Sequence, residues 1–185
     1  AGIVGTNAAV VAAGMQAHVA VLDTSLERLR DLELALAGRV TLLHSTRLAI
    51  EELLPTADLV VGAVLLPGAR TPRLVTRRAL RLMRPGSVIV DVSVDQGGCV
   101  ETSRPTTHSD PVFEVDGIVH YGVANMPGAV PVTATRALAN ATLPYVLRIA
   151  DEGLDGAVAR HEELRPGVNV REGKLTNATV AAALG

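Results

Sequence analysis

The sequence predicts an α/β fold with a doubly wound parallel sheet, and three observations lead to this prediction. Short apolar runs alternate with segments of helical length through the first half of the chain. One run, residues 59–65, is apolar throughout, which is typical of a strand buried on both faces. The hydrophobic fraction is 48% but the aromatic fraction is only 2%, so we expect Ala, Val and Leu to form the core.

The predicted helices and strands follow one another without an internal repeat or a linker. The helices cover residues 6–15, 25–37, 47–54 and 71–83. The strands cover residues 18–22, 40–43, 59–65 and 88–92. Ser25 caps the second helix, Gly38 ends it, and Pro55 stops the third. Leucines at positions 26, 29, 32 and 36 give the second helix its apolar face. This order of elements indicates βαβ units.

The C-terminal part of the chain is predicted to be helical. A long helix is expected over residues 133–149, with Pro144 inside it. Because proline removes a backbone hydrogen bond and clashes with the preceding turn, we expect a kink or two helices near Leu143. Residues 175–184 are predicted to form a final helix.

Two glycines open the first helix with the spacing of a dinucleotide-binding turn. Gly2 and Gly5 are spaced like the second and third glycines of G-x-G-x-x-G, where the backbone passes close to a pyrophosphate. The first glycine and the strand before it are absent, because the chain begins at Ala1. The prediction is therefore a Rossmann-type sheet without its first strand. A steric role is the alternative, since such turns open many helices.

Asp23 supports the dinucleotide interpretation. It stands at the end of the strand over residues 18–22, 21 positions after Gly2. An acid that binds the adenosine ribose hydroxyls is expected about 20 residues into the motif. A carboxylate there repels a 2′-phosphate, so the sequence predicts NAD as the cofactor in preference to NADP.

Composition argues against several other classes of function. The chain has 185 residues and a net charge near −2, and no basic stripe suggests nucleic acid. Its apolar runs are too short and interrupted for a membrane span. The single cysteine rules out an internal disulfide and fits a reducing, cytoplasmic compartment. Five histidines lack the spacing of metal ligands, so no metal is expected.

The segment Asp91-Val-Ser-Val-Asp95-Gln-Gly-Gly carries the candidate chemistry at the end of a predicted strand. Asp95 precedes two glycines and suits proton transfer or ligand binding, although an Asx-type turn is an equal alternative. We expect Asp91 to be a structural carboxylate bound by backbone amides. Cys99 is interpreted as a small buried thiol. His44 lies at a strand end and is a weaker candidate for touching the cofactor.

Four runs carry a resemblance to a known family, and they occur in one order over most of the chain. They are GAVLLPGARTPRLV (62–75), VDVSVDQGGCVETSRPTTHSDPVFEVDG (90–117), VANMPGAVPVTAT (123–135) and NATLPYVL (140–147). Together they resemble the nucleotide-binding domain of the alanine dehydrogenase and pyridine nucleotide transhydrogenase family. The likeness to the dehydrogenases is closer than that to the transhydrogenases around DQGGC and VANMP.

The resemblance implies roles for particular residues. Asp95 corresponds to a catalytic acid/base that also contacts ribose, and Asp23 corresponds to the carboxylate that binds the adenosine ribose. The remaining cofactor-binding positions are Gly2, Gly5, Arg28, Ser45, Val64, Leu65, Val92, Val123, Asn125 and Met126. Among these, Ser45 corresponds to an adenine contact, although capping of the next helix is an alternative. Val64 and Leu65 are expected beside the nicotinamide ribose, with a core position as the alternative.

The resemblance also implies a function and a domain organisation. Residues 1–150 form the NAD-binding domain, and residues 151–185 a tail that packs on a catalytic domain absent from this chain. The implied reaction is reversible oxidative deamination of L-alanine to pyruvate and ammonia in a homo-oligomer, usually a hexamer. The chain by itself is expected to be inactive. The alternatives are a transhydrogenase-type nucleotide domain and a non-catalytic module that folds or oligomerises.

Overall fold

A computed structural model of the chain describes residues 1–66 and 70–184, so residues 67–69 of the quoted run 62–75 lie outside it. The helices are α1 Ile3–Gly14, α2 Leu26–Leu36, α3 Arg47–Leu53, α4 Arg77–Leu80, α5 Pro131–Arg160 and α6 Ala178–Leu184. The strands are β1 Ala20–Asp23, β2 Thr41–His44, β3 Leu59–Gly62, β4 Val88–Asp91, β5 Val112–Val115, β6 Ile118–Tyr121, β7 Val170–Arg171 and β8 Lys174–Leu175. The described residues divide into two compact units, of which the first ends at residue 124.

The first unit confirms the predicted α/β class with mainly parallel strands. Strands β1 and β2 pair in parallel, with Asp23 opposite His44. A second sheet has the order β3-β4-β6-β5, in which only β5 runs antiparallel, through a hairpin turned at Asp116 and Gly117. The doubly wound order places its first strand between the second and fourth strands. The strands of the first unit form two sheets, β1-β2 and β3-β4-β6-β5, with no described strand between them.

Each sheet of the first unit has its own apolar cluster. One contains Ala9, Val21, Leu32 and Leu36, which join α1 and α2 to β1. The other is built around Leu80, Ile89, Val100 and Ile118. Helix α1 packs against both β1 and β3. The predicted apolar face of α2 is confirmed for three leucines, but Leu26 in the first turn is 56% exposed.

Several helices begin or end at the capping residues, glycines and prolines that the sequence predicted. The hydroxyl of Ser25 accepts a hydrogen bond from the Arg28 amide at 3.1 Å and caps α2. Helix α2 ends where Ala37 adopts φ 48°, followed by Gly38 at φ 71°. Pro55 follows α3 within a short 3₁₀ turn. These ends depend on neighbours within four residues, which is why the sequence predicted them.

The helix predicted over residues 71–83 is wrong in extent, because only Arg77–Leu80 is α-helical. The Leu74 amide instead donates to the carbonyl of Cys99 at 2.7 Å, and Val75 forms a parallel bridge with Val100. This extended segment pairs with the chain that follows β4. The backbone hydrogen bonds are therefore satisfied by a distant partner rather than by a helix.

The second unit contains α5, the β7–β8 hairpin and α6. The kink predicted near Leu143 is wrong: the non-helical residue of α5 is Gly153, at φ 70° and ψ 165°. Proline has a φ near −65°, so Pro144 continues the helix at the cost of one hydrogen bond. The predicted domain boundary after residue 150 lies within α5, three residues before Gly153, and stays a prediction.

Candidate functional site

The start of α1 carries the two glycines of the predicted dinucleotide-binding turn, whose role stays a prediction. A Cβ atom at Gly5 would lie 3.9 Å from the Cβ of Ala63, which is an ordinary van der Waals contact between α1 and the chain leaving β3. Gly2 is the N-cap of α1, with no side-chain cap and nothing within 4 Å of an added Cβ. The first amides of a helix lack intrahelical partners. This helix start therefore combines unsatisfied donors with open space.

Asp23 lies at the carboxyl end of β1, next to the start of α1. Its Oδ2 accepts from the Ala1 nitrogen at 2.7 Å, and its Oδ1 accepts from the Ser25 amide at 2.8 Å. Burial raises the pKa of this carboxyl, and the hydrogen bond from the Ser25 amide acts in the opposite direction and lowers it. Because an aspartate ordinarily ionises well below pH 7, Asp23 is an anionic acceptor at neutral pH.

Arg28 supports the same region from α2. Its Nε donates to the Ala1 carbonyl at 2.9 Å, and its guanidinium also reaches the Thr6 hydroxyl at 3.0 Å. Both partners belong to the beginning of the chain, on either side of Gly2. In this structure Arg28 therefore braces the glycine turn, and any contact between Arg28 and a cofactor stays a prediction.

Ser45 lies beside Asp23 at the ends of the paired strands. The Ser45 amide donates to the Asp23 carbonyl at 2.8 Å. The cap of α3 is Thr46, whose hydroxyl accepts from the Ala49 amide at 3.1 Å, so Ser45 does not cap this helix. The alternative role that the sequence left open for Ser45 is thus excluded. His44 is exposed at the same strand end.

Val64, Leu65 and Val92 follow the ends of β3 and β4, where the structure joins the two strands. The Val92 amide donates to the Gly62 carbonyl at 2.8 Å. Val64 is half-buried, and Leu65 is 64% exposed. The sequence left open that Leu65 is only a core residue, and its exposure excludes this alternative.

Ser93 is a residue that the sequence reasoning did not assign to the site. Its hydroxyl accepts from the Val64 amide at 2.9 Å and donates to the Val64 carbonyl at 2.7 Å. One side chain thus fixes the loop after β3 against the loop after β4. The only signal in the sequence is a hydroxyl just past a buried strand, and the partner is 29 residues away.

Asp95 is exposed within a 3₁₀ turn, Val94–Gln96, directly after β4. The turn is closed by the Gly97 amide, which donates to the Val94 carbonyl at 3.2 Å. Gly97 and Gly98 follow with φ of 94° and 74°, values that favour glycine. The glycines are thus required by the shape of this loop, and Asp95 lies on its accessible side.

Cys99 is a buried thiol, as the sequence indicated. Its side chain is only 2% exposed, and its Sγ lies 3.5 Å from Oδ1 of Asp91. Burial, and then the negative charge of Asp91, raise the pKa of this thiol to about 12. Because the thiolate is the nucleophilic form, Cys99 is not suited to covalent catalysis.

The segment from Val123 to Met126 crosses the division between the two units. Val123 belongs to the first unit, is 1% exposed and bridges to Thr106, so its side chain is part of the core. Asn125 belongs to the second unit and adopts φ 56° before a 3₁₀ turn that begins at Met126. Contacts of these residues with a cofactor stay predictions.

Within residues 1–66 and 70–184, no group of three His, Cys, Asp or Glu side chains could hold a metal ion. An open groove of about 340 Å³ lies between α2 and β2, lined by Leu29, Leu36 and Val40 among others. Its lining contains none of the predicted cofactor-binding residues. No helix of the described chain is long and apolar enough to cross a membrane.

Comparison of the whole chain with known proteins identifies its family. The model of the family described as alanine dehydrogenase/PNT, C-terminal domain, matches residues 1–178. The chain belongs to this family. It is 54% identical to alanine dehydrogenase from Halomonas elongata and 50% identical to that from Mycolicibacterium smegmatis, with all of the chain aligned in both cases.

Solved structures agree with membership of the alanine dehydrogenase/PNT family. An L-alanine dehydrogenase matches 99% of the chain at 51% identity with a TM-score of 0.86. A transhydrogenase from Sinorhizobium meliloti matches 83% of it at 26% identity with a TM-score of 0.72. The resemblance predicted from the quoted runs is therefore confirmed. The chain spans about half the length of the curated relatives it matches, since it covers 50% of each.

Proposed function

We propose that this chain is the NAD-binding part of an enzyme that oxidises L-alanine to pyruvate and ammonia. The observation that carries the proposal is the position of Asp23, an anionic carboxylate at the end of β1 beside the open helix start at Gly2. A carboxylate has about four acceptor sites, so the bonds from Ala1 and Ser25 leave capacity for ribose hydroxyls. The names of the relatives supply the substrate.

The residues at the strand ends fit a dinucleotide. The free amides of α1 at Gly2 suit a pyrophosphate, and Ser45 lies beside Asp23 for the adenosine end. Val64 is bonded to Ser93 at the start of the loop that carries Asp95, and Val92 precedes that loop. We assign the nicotinamide end to this region, with Leu65 next to Val64 in the chain. Held by these residues, NAD would supply the hydride acceptor for the oxidation of the alanine Cα.

Asp95 is the residue of this chain assigned to proton transfer. Its carboxylate is exposed on a turn held by backbone bonds and by two glycines, so it is both accessible and fixed in position. Alanine, NAD⁺ and water would give pyruvate, ammonium, NADH and one proton, and the Asp95 carboxylate would take up a proton that the substrate releases. The groups that bind the substrate carboxylate are assigned to a catalytic domain outside this chain, and residues 151–185 to packing on it. Hexamer formation and a cytoplasmic location belong to the same proposal.

The test is alanine-dependent NADH formation by the full-length natural polypeptide and by the 185-residue chain. We expect activity from the first and none from the second. Asp95→Asn in the full-length polypeptide should lower kcat about 100-fold or more, as expected on loss of a general acid/base. Asp110→Asn, which removes an exposed carboxylate 15 residues later in the chain, is the matched control. An active Asp95→Asn variant would contradict the assigned role.

A transhydrogenase-type nucleotide domain is the second candidate, favoured by the match to the Sinorhizobium meliloti structure. It predicts hydride exchange between NADH and an NADP analogue in the presence of a partner domain. If hydride exchange occurs and alanine oxidation does not, the transhydrogenase function would replace the first proposal. Failure of NAD to raise the melting temperature would instead favour a non-catalytic module, because a ligand that binds the folded state must stabilise it.

A further inference from the structure

Asp91 is a buried carboxylate whose hydrogen bonds converge from both ends of one loop. It is the last residue of β4 and is 1% exposed. Its Oδ1 accepts from the Ser93 amide at 3.1 Å, and its Oδ2 accepts from the amides of Cys99 and Val100 at 3.0 and 3.1 Å. The loop between these donors carries Asp95. A single side chain therefore closes the loop over residues 93–100.

The surroundings of Asp91 leave little space for the loop to move. A Cβ atom at Gly98 would lie 2.8 Å from Oδ2 of Asp91, closer than real Cβ contacts. A Cβ at Gly62 would collide with the sulfur of Cys99, which itself lies against Asp91. Arg73 donates to the Val100 carbonyl at 2.6 Å and holds the far end of the loop. Close packing and directional bonds thus specify one loop conformation.

The same loop is connected to the neighbouring strand end. Ser93, whose amide is bound by Asp91, uses its hydroxyl to bind both the amide and the carbonyl of Val64. A change in the loop conformation would therefore alter the position of Val64 as well as that of Asp95. A buried carboxylate that loses its donors is costly, so the carboxylate and the loop conformation stabilise each other.

We propose that Asp91 is a positioning residue, whose carboxylate holds the loop over residues 93–100 so that Asp95 faces the nicotinamide end of the cofactor. That Asp91 holds the loop in one conformation follows from the geometry alone. That Asp95 faces the nicotinamide rests on the proposed function. Asp91 itself does not touch the substrate, because it is buried beneath the loop.

The experiment compares Asp91→Asn with wild type in the full-length natural polypeptide. Asparagine keeps the shape but replaces one acceptor oxygen by a donor, which opposes a backbone amide. We expect amide hydrogen exchange within residues 93–100 to become about tenfold faster, with little change in residues 112–121 of the β5–β6 hairpin. We also expect kcat and NADH affinity to fall about tenfold each, while affinity for ADP, which lacks the nicotinamide ribose, stays within about twofold.

Two control variants separate positioning from general damage. Asp95→Asn removes the carboxylate assigned to proton transfer and leaves the hydrogen bonds of Asp91 in place, so it should lower kcat while accelerating loop exchange less than Asp91→Asn does. Gly98→Ala disturbs the contact between the loop and Asp91 with the Asp91 carboxylate intact, and should reproduce the faster loop exchange. Gly98→Ala also provides the test if Asp91→Asn does not fold.

The outcomes distinguish this proposal from the proposed function. Faster loop exchange with normal kcat and NADH affinity would overturn the positioning role, and so would equally faster exchange in both segments. A wild-type polypeptide that binds no NADH would overturn the proposed function and the role toward nicotinamide. The exchange measurement would still decide whether Asp91 holds the loop.

Discussion

At the scale of single residues, Asp23 is the central residue at the adenosine end of the candidate site. Its carboxylate accepts hydrogen bonds from Ala1, which precedes α1, and from the amide of Ser25, which caps α2, and its carbonyl accepts one from the Ser45 amide. The position at the end of a strand could be predicted from spacing. The bracing of the turn by Arg28 could not, because it depends on an approach between residues 27 positions apart.

We predict that Asp23→Asn in the full-length polypeptide weakens NADH binding about tenfold, because an amide is a weaker acceptor for ribose hydroxyls than a carboxylate. The loss of negative charge should also reduce the preference for NADH over NADPH. Asp31→Asn is the control, since it removes an exposed carboxylate from α2. Fluorescence titration measures both affinities. Equal losses in the two variants would contradict the assignment.

At the scale of elements, the hairpin of β5 and β6 is tied to α4 by charge. Asp116 at its turn accepts from the guanidinium groups of Arg77 and Arg81 at 3.2 and 3.3 Å. The hydrogen bond from Arg77, opposed by partial desolvation and assisted by Arg81, lowers the pKa of Asp116 below 3.8. The ionised carboxylate is therefore favoured in the folded state.

This pKa gives a pH dependence of defined sign. The stabilisation by Asp116 is fully present above pH 3.8 and is lost as pH falls through the lower pKa of the folded state. We expect Asp116→Asn to lower the urea midpoint of the 185-residue chain at pH 7 and to differ less from wild type near pH 2.5. Asparagine tolerates the positive φ of 51° at this position. A difference that grows on acidification would contradict this prediction.

Helix α5 offers a second prediction at this scale. Gly153 has a φ of 70° and a ψ of 165°, a region almost restricted to glycine, so Gly153→Ala should destabilise the chain by about 1–3 kcal/mol. Pro144→Ala should act in the opposite direction, because it restores a donor for the Asn140 carbonyl within a continuous helix. Urea unfolding of the two variants checks the signs. Destabilisation by both would show that Pro144 has a packing role.

The same elements show which parts of the fold were predictable. The cap at Ser25 and the end of α2 depend on nearby residues, and the sequence predicted both. The extent of α4 did not follow, because residues 71–75 pair with the chain after β4. Ser93 was not assigned to the site for the same reason, since its role depends on Val64. Contacts between segments distant in sequence, more than local propensity, account for the errors.

At the scale of the whole molecule, the exposed apolar surface agrees with a chain that spans half the length of its relatives. Val132, Leu138, Leu143 and Val146 on α5 are each more than half exposed. Exposed apolar patches of this kind mark surfaces for other protein segments. These residues precede the tail over residues 151–185, so this surface supports the proposal that the chain assembles with other subunits.

The separation of β1 and β2 from the other sheet has a consequence for cooperativity. Two sheets with two apolar clusters should give the first unit two overlapping heat-absorption peaks in scanning calorimetry, instead of one two-state transition. A dinucleotide held between Asp23 on one sheet and Asp95 on the other would link them. We therefore predict that saturating NADH merges the peaks into a single transition, whereas ADP shifts only one. The cofactor would then strengthen a thermodynamic connection between two sheets that α1, which packs against both, already begins to make.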